Sequence, residues 1–385
     1  MTTNSYMGPR TSGGSIQDGL QRGYHFGIVA SSDNHEGFAG AWNSGLMAVK
    51  AKELTRQSLW EAFKNRRVYA VTGDRIQLSF RIGDAPMGSI IDGGPSERAT
   101  GNDSENPFQE RRLQVDVVGC DEIERIEILK NNRVAYTYVH KDQWREGEPD
   151  QSIRFKQRIT LGWGPRDFGP HQWKWSGSVR IAGGRILGVE TGYTCPGQKV
   201  VIENDSRCIW ELTTKRKSGS SPFSGSPFYN QTLVFEIEAG SDGQLIYNIS
   251  GHTVTIPVAE AEFDSRIIAL TEETERMIKQ EFGLSRKDIG NDAWYYLYAY
   301  KAKIHRAVPA AAYEATVVWK DPHDPHGLAS GGPSSANGEP PPEGKVLPHA
   351  DEEPSPAGGE KEDFYYIRVT QANGQMAWSS PIWVT

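Results

Sequence analysis

Ile76-Gln77-Leu78-Ser79-Phe80-Arg81-Ile82 places an apolar side chain at every second position, the pattern of a strand with one buried face. The same period of two returns at Leu113-Gln114-Val115-Asp116-Val117, at Leu233-Val234-Phe235-Glu236-Ile237 and at Tyr365-Tyr366-Ile367-Arg368-Val369. Asn131-Asn132, Gly183-Gly184 and Asn373-Gly374 punctuate these runs as turns. Residues 76–385 therefore read as an antiparallel β-sandwich. One helix interrupts it, opening with acidic residues at Thr271-Glu272-Glu273-Thr274 and closing at Gly283. Asp321 to Glu362 holds nine of the 22 prolines and seven glycines, with almost no large apolar residue. Its composition predicts a disordered insertion at 321–362, set between two strand-like runs of the sandwich.

The first 75 residues follow a different pattern. Ser15 is a candidate N-cap for a short helix that stops at Gly23, and Thr55 caps a second one with Leu59, Trp60 and Phe63 on one face. Between the helices, Phe26-Gly27-Ile28-Val29-Ala30-Ser31 is a nearly continuous apolar run, expected of a strand buried on both faces. Leu46-Met47-Ala48-Val49 and Val68 to Thr72 are two more short extended runs. Alternating helix and buried strand predicts α/β architecture with parallel strands. Two such units are too few for a complete barrel or a doubly wound sheet.

Composition excludes several classes. The 42 basic and 49 acidic residues leave a net charge of −7, which argues against nucleic acid as a partner. No apolar run approaches the ~20 residues that span a bilayer, so no membrane partner is expected. Cys120, Cys195 and Cys208 form no CxxC and suggest neither a zinc ribbon nor a disulfide framework.

Ser31-Ser32-Asp33-Asn34-His35-Glu36-Gly37 is the sharpest chemical candidate. Residues two apart on a strand share a side, so Asp33 and His35 would face together from its C-terminal end. A carboxylate and an imidazole suit Zn²⁺, Mn²⁺ or Fe²⁺. Two further Asp-x-His matches, Asp321-Pro322-His323 and Asp324-Pro325-His326, fall at or within the Pro/Gly-rich insertion and read as composition. His25 precedes the strand and belongs at its far end, too distant to join Asp33.

The stretch from Gly23 to Gly37 resembles the last metal-binding motif of PHP (polymerase and histidinol phosphatase) hydrolases. The order that follows is similar to a large bacterial family of uncharacterised PHP-like proteins. It comprises Ala51-Lys52-Glu53-Leu54-Thr55-Arg56, Leu59-Trp60-Glu61-Ala62-Phe63 and Arg66-Arg67-Val68-Tyr69-Ala70-Val71-Thr72-Gly73. Trp173-Lys174-Trp175-Ser176-Gly177 and the ending Met376-Ala377-Trp378-Ser379-Ser380-Pro381 resemble the same family. The resemblance implies the last units of a distorted (β/α)7 barrel in residues 1–75, followed by the sandwich. It implies metal-assisted hydrolysis of a small-molecule phosphoester, with Asp33 and His35 as ligands to a divalent Zn, Mn or Fe. Arg67, Tyr69, Thr72 and Arg75 would lie near the next barrel element and reach substrate oxygens. One departure counts against activity: the chain contains no His-x-His, and two side chains fall short of a catalytic metal's usual three. The chain therefore reads as the C-terminal part of a larger hydrolase, inactive alone. A second reading is a β-sandwich binding module for carbohydrate or protein, with Trp173, Trp175, Trp294, Tyr296 and Tyr298 as an aromatic platform.

Overall fold

The computed structural model describes residues 14–32, 45–91, 111–140, 152–165, 171–192, 197–216, 230–290, 298–321 and 362–385. Within them the strands form three sheets, of eight, eight and four members. The first sheet begins with β1 (Leu46–Val49) and β2 (Val68–Val71), which pair antiparallel. It continues through β19 (Met376–Ser379), β18 (Asp363–Gln371), β20 (Ile382–Val384) and β5 (Ile90–Ile91). β7 (Ile123–Lys130) joins the other side of β18, with β8 (Arg133–Val139) beyond it. The four-stranded sheet runs β17 (Glu314–Asp321), β6 (Arg111–Val118), β3 (Gln77–Ile82), β4 (Ala85–Pro86).

These two sheets share one core. Leu78 and Phe80 from β3 and Val115 and Val117 from β6 meet Ile126, Ile128, Ile367 and Val369 from the first sheet. The alternation of β3 is realised residue by residue, with its odd positions exposed and its even positions buried. Asn131 and Asn132, both at positive φ (51° and 64°), make the two-residue turn from β7 to β8.

Between β8 and β17 the chain builds a second unit from the other eight-stranded sheet. It contains β9 (Ile153–Trp163), β10 (His171–Thr191), β11 (Lys199–Asn204), β12 (Arg207–Arg216), β13 (Asn230–Ile249), β14 (His252–Pro257), β15 (Arg266–Leu270) and β16 (Tyr300–Pro309). β10 and β13, 21 and 20 residues long, pair with each other along both halves of this unit. Gly183-Gly184 is not a turn between strands. It is a bend inside β10, where the register with β13 shifts. Gly183 sits at φ +76°, and a Cβ on Gly184 would lie 2.5 Å from the Ala239 Cβ, so only glycine lets the halves fold onto one core. α3 (Thr271–Phe282) closes that core with Met277 and Ile278 and ends at Gly283 in the left-handed conformation.

No units of a (β/α)7 barrel stand before the sandwich among the described residues, which corrects the fold expected from the sequence. Phe26–Ser31 forms no strand; Ile28 is buried, but its N–H goes to the Ser380 Oγ at 2.9 Å and Val29 is exposed. The segment lies on the outer face of the first sheet, as does α1 (Ile16–Gln21), where Leu20 and Phe26 pack with Leu129, Phe364, Tyr366 and Trp383. β1 and β2, expected to be parallel, are antiparallel because the helix between them ends in a chain reversal. α2 (Arg56–Lys64) closes with Arg67 N–H on the Ala62 carbonyl and Arg66 N–H on the Phe63 carbonyl, with Arg66 at φ +54°. This is a Schellman cap with arginine in the position glycine usually fills. Its guanidinium Nε is held by the Gly88 carbonyl at 3.0 Å, which fixes the reversal from which β2 returns along β1.

Candidate functional site

Where the two units meet, a cleft of 620 Å³ opens beside β1. The sandwich contributes Leu46, Met47, Ala48, Tyr69, Val71, Arg75, Ile76 and Gln77. The second unit contributes Gly188, Val189, Glu190, Val234 and Glu236. Its lining is mostly apolar, with the charged side chains Arg75 on one unit and Glu190 and Glu236 on the other. Glu190 is engaged by Lys156 at 3.1 Å and accepts from the Cys120 thiol at 3.3 Å. Burial, with the charge of Glu190 adding to it, pushes the Cys120 thiol well up, so it stays protonated and is no nucleophile.

The sequence-derived residues separate here. Tyr69 and Arg75 line the cleft together. The Tyr69 hydroxyl is already spent within the fold: it donates to the Ile76 carbonyl at 3.0 Å and accepts from Leu78 N–H at 3.3 Å, tying β2 to β3. Burial raises its pKa, so it remains a neutral phenol. The Thr72 hydroxyl donates to Gln375 Oε1 at 2.6 Å and accepts from Met376 N–H at 2.9 Å, which pins β2 to the β18–β19 turn. Arg67 uses its backbone: its N–H closes α2 and its carbonyl accepts from Lys50 N–H at 2.8 Å. Asp33 and His35 lie outside the described residues, as do His323, His326 and the 322–361 stretch of the expected insertion. His25, set aside as a ligand, pairs with Glu362 at 2.8 Å and packs on the Trp383 ring.

A second cluster, which the sequence did not signal, occupies the seam behind the cleft. Arg158 on β9 makes two bonds to Asp74, at 2.9 and 2.6 Å, and Asp74 is fully buried. Gln371 and Asn373 each donate to the same carboxylate at 2.8 Å. Burial pushes the Asp74 pKa up, but Arg158 and the two amides outweigh it and hold it below the ordinary carboxylate value. Lys156 donates to the Gly119 carbonyl at 2.8 Å, and Arg306 pairs with Glu122. A small pocket of 160 Å³ lies among Asp121, Arg158, Lys303, His305 and Arg306. Burial first, then the positive charges of Lys303 and Arg158, lower the His305 pKa to about 4. The sequence carried one trace of this cluster: Asn373 was legible as a turn residue.

Of the aromatic platform, Trp173, Trp175 and Tyr298 lie among the described residues, and Trp173 and Tyr298 are half-buried. Trp175 is fully buried, with its indole N–H on Thr214 at 2.9 Å, and Trp173 stacks on Tyr300 with 4.7 Å between ring centroids. Trp294 and Tyr296 lie outside the described residues. Among the described residues no group of three or more His, Cys, Asp or Glu is placed to hold a metal, and no helix is long and apolar enough to cross a membrane.

A family profile described as "Protein of unknown function (DUF3604)" matches residues 40–87, the segment containing β1, α2, β2 and β3. An uncharacterised protein of Chlamydia pneumoniae is 32% identical over 156 residues, 38% of this chain and 24% of that protein. Uncharacterised proteins of Chlamydia muridarum and Chlamydia trachomatis are also 32% identical, over 37% and 38% of this chain and 23% and 24% of their own lengths. No solved structure matches. The chain thus has uncharacterised bacterial relatives and spans about a quarter of the length of those it matches.

Proposed function

We propose that this chain is the β-rich portion of a metal-dependent phosphoester hydrolase, that it supplies Asp33 and His35 as two ligands to a divalent Zn, Mn or Fe, and that it has no activity alone. The observation that carries this reading is the motif Ser31-Ser32-Asp33-Asn34-His35 within a stretch that resembles a hydrolase metal site. A bound divalent ion would supply a hydroxide nucleophile at neutral pH and polarise a phosphoryl oxygen. Among the described residues no group of three or more His, Cys, Asp or Glu is placed to hold a metal, so at least one further ligand has to join Asp33 and His35. The matched relatives extend well beyond the shared stretch, which leaves room for the remaining ligands there. Of the four proposed substrate-facing residues, Arg75 is the one that is exposed and lines the cleft, so it is assigned to the phosphoryl oxygens. Tyr69 and Thr72 act through the walls they tie together.

Metal content and turnover of the purified chain test this directly. We expect weak binding of one Zn or Mn, lost in both Asp33→Ala and His35→Ala, and hydrolysis of p-nitrophenyl phosphate no faster than in buffer. Metal retained unchanged in both variants would reject the ligand assignment. Turnover by the chain alone would reject its dependence on further polypeptide.

A further inference from the structure

β1 ends the first sheet on one side. Its register with β2, and the Lys50 N–H donated to the Arg67 carbonyl, set residues 46, 48 and 50 towards β2. Met47 and Val49 therefore turn their N–H and C=O groups to the outer edge, which has no strand beside it among the described residues. The strand itself carries no device that blunts an edge: Leu46-Met47-Ala48-Val49 contains no charge and no proline.

The elements around this edge are also unfinished. α2 buries Ala62 against the fold, but Trp60 and Phe63, three residues apart and so on one side of the helix, are 56% and 40% exposed. Met47 is exposed on β1, and so is Val29 in the segment whose Ala30 and Ser31 lie against Gly45 at the start of β1. Of the sixteen large apolar side chains exposed among the described residues, seven precede residue 64, a small part of the described chain. Scattered apolar residues are normal on a surface, but Met47 on an edge strand, with Trp60 and Phe63 on the helix that packs against that strand, suit an interface.

The stretch that carries this face is the one the family profile matches, at 40–87, and the chlamydial relatives hold about three quarters of their length outside the matched region. We propose that the β1 edge and the Trp60–Phe63 side of α2 are the docking surface for a further domain, of the kind those relatives carry outside the matched stretch. That domain adds a strand to β1 through Met47 and Val49 and covers Trp60 and Phe63 with apolar side chains. This inference rests on the same premise of further polypeptide as the hydrolase reading, and places it beside the cleft that Met47 also lines, but its test requires neither metal nor turnover.

Lys50 follows β1 directly, Lys52 lies two residues on, and Lys64 ends α2 with its ammonium over the Trp60 ring, so these three serve as reporters. The chain, tagged after Thr385 and isolated from its native host, is treated with an amine cross-linker and mapped by mass spectrometry. The expected result is cross-links from these lysines to polypeptide outside residues 1–385 that aligns with the unmatched part of the relatives. Met47→Asp with Trp60→Asp should reduce them about tenfold, while Ile267→Asp, an exposed apolar site on the other unit, leaves them intact. Trp60→Asp alone, on the outer side of a helix, keeps the test valid if the double variant misfolds. Cross-links only between copies, seen by mixing isotopically labelled and unlabelled chain, would replace the proposal with a dimer. Cross-links that persist in the variants, or none at all, would overturn it.

Discussion

The seam between the two β units and the β1/α2 face are both places where surfaces could meet, and they are built in opposite ways. The seam is closed and ionic: Asp74, Arg158 and Gln371 are buried and bonded to one another, and Asn373 reaches the same carboxylate from the exposed turn. The β1/α2 face is open and apolar, with Trp60 and Met47 exposed and a strand edge that has no neighbour among the described residues. Charge buried without its partner costs several kcal/mol, so the seam holds together only when both units are present and in register. Apolar surface in water costs less per residue and is tolerated until a partner covers it. The contrast separates an interface completed within the chain from one that is not.

The largest expected effect is at the seam. Asp74→Ala leaves the Arg158 guanidinium in a site where it is nine-tenths covered, and deprives two amide groups of their acceptor. Stability should fall by about 3–5 kcal/mol, read from chemical denaturation. Replacing the pair together, Asp74→Leu with Arg158→Met, should cost less than the single change, because no buried charge is orphaned. A single-variant loss below about 1 kcal/mol would mean that water reaches the pair and that the seam is not closed.

His305 sharpens the same side of the comparison through pH. Its pKa is about 4 in the fold against 6.5 when free, so between these values the unfolded chain binds a proton that the folded chain refuses. Stability contributed by the neutral ring is therefore full above pH 6.5 and falls as the pH drops towards 4. Discounted for its partial exposure, the loss is about 2 kcal/mol. His305→Gln should remove that part of the slope and keep a hydrogen bond within reach of Thr160, which now sits 3.1 Å from the imidazole. Equal slopes for the two proteins between pH 7 and pH 4.5 would place the acid sensitivity in the carboxylates instead.

What could be read in the sequence was local. Ser15 caps α1 with Asp18 completing a capping box, Thr55 caps α2, and Gly283 ends α3, because each cap needs only its own turn. Alternation likewise located β3 and β6, since the period of two is set by the strand itself. Long-range geometry was hidden. The order strand–helix–strand around α2 suggests a parallel crossover, yet Arg66 in a left-handed cap turns it into an antiparallel pair. Gly183-Gly184 has turn composition, but its role as a bend depends on Ala239 lying opposite. Asp74 meets Arg158 across 84 residues of sequence, and no local pattern encodes that contact. As for the candidate site, Arg75 and Tyr69 were legible as neighbours, whereas the carboxylates facing them arrive from the second unit.

The smallest effect is expected on the open face, and its smallness is the informative part. Trp60 is more than half exposed, and among the described residues its one specific contact is the Lys64 ammonium 5.4 Å from the ring centroid. Trp60→Glu in the isolated chain should shift stability by no more than about 0.5 kcal/mol, since an exposed cation–π contact and a little apolar cover are all it removes. A tryptophan conserving the fold at so little benefit, beside an edge strand that invites pairing, belongs to a surface whose stabilising partner is elsewhere. A loss above about 2 kcal/mol would instead make Trp60 part of this chain's own packing. The distinction between the closed seam and the open face would then fail at its most exposed residue.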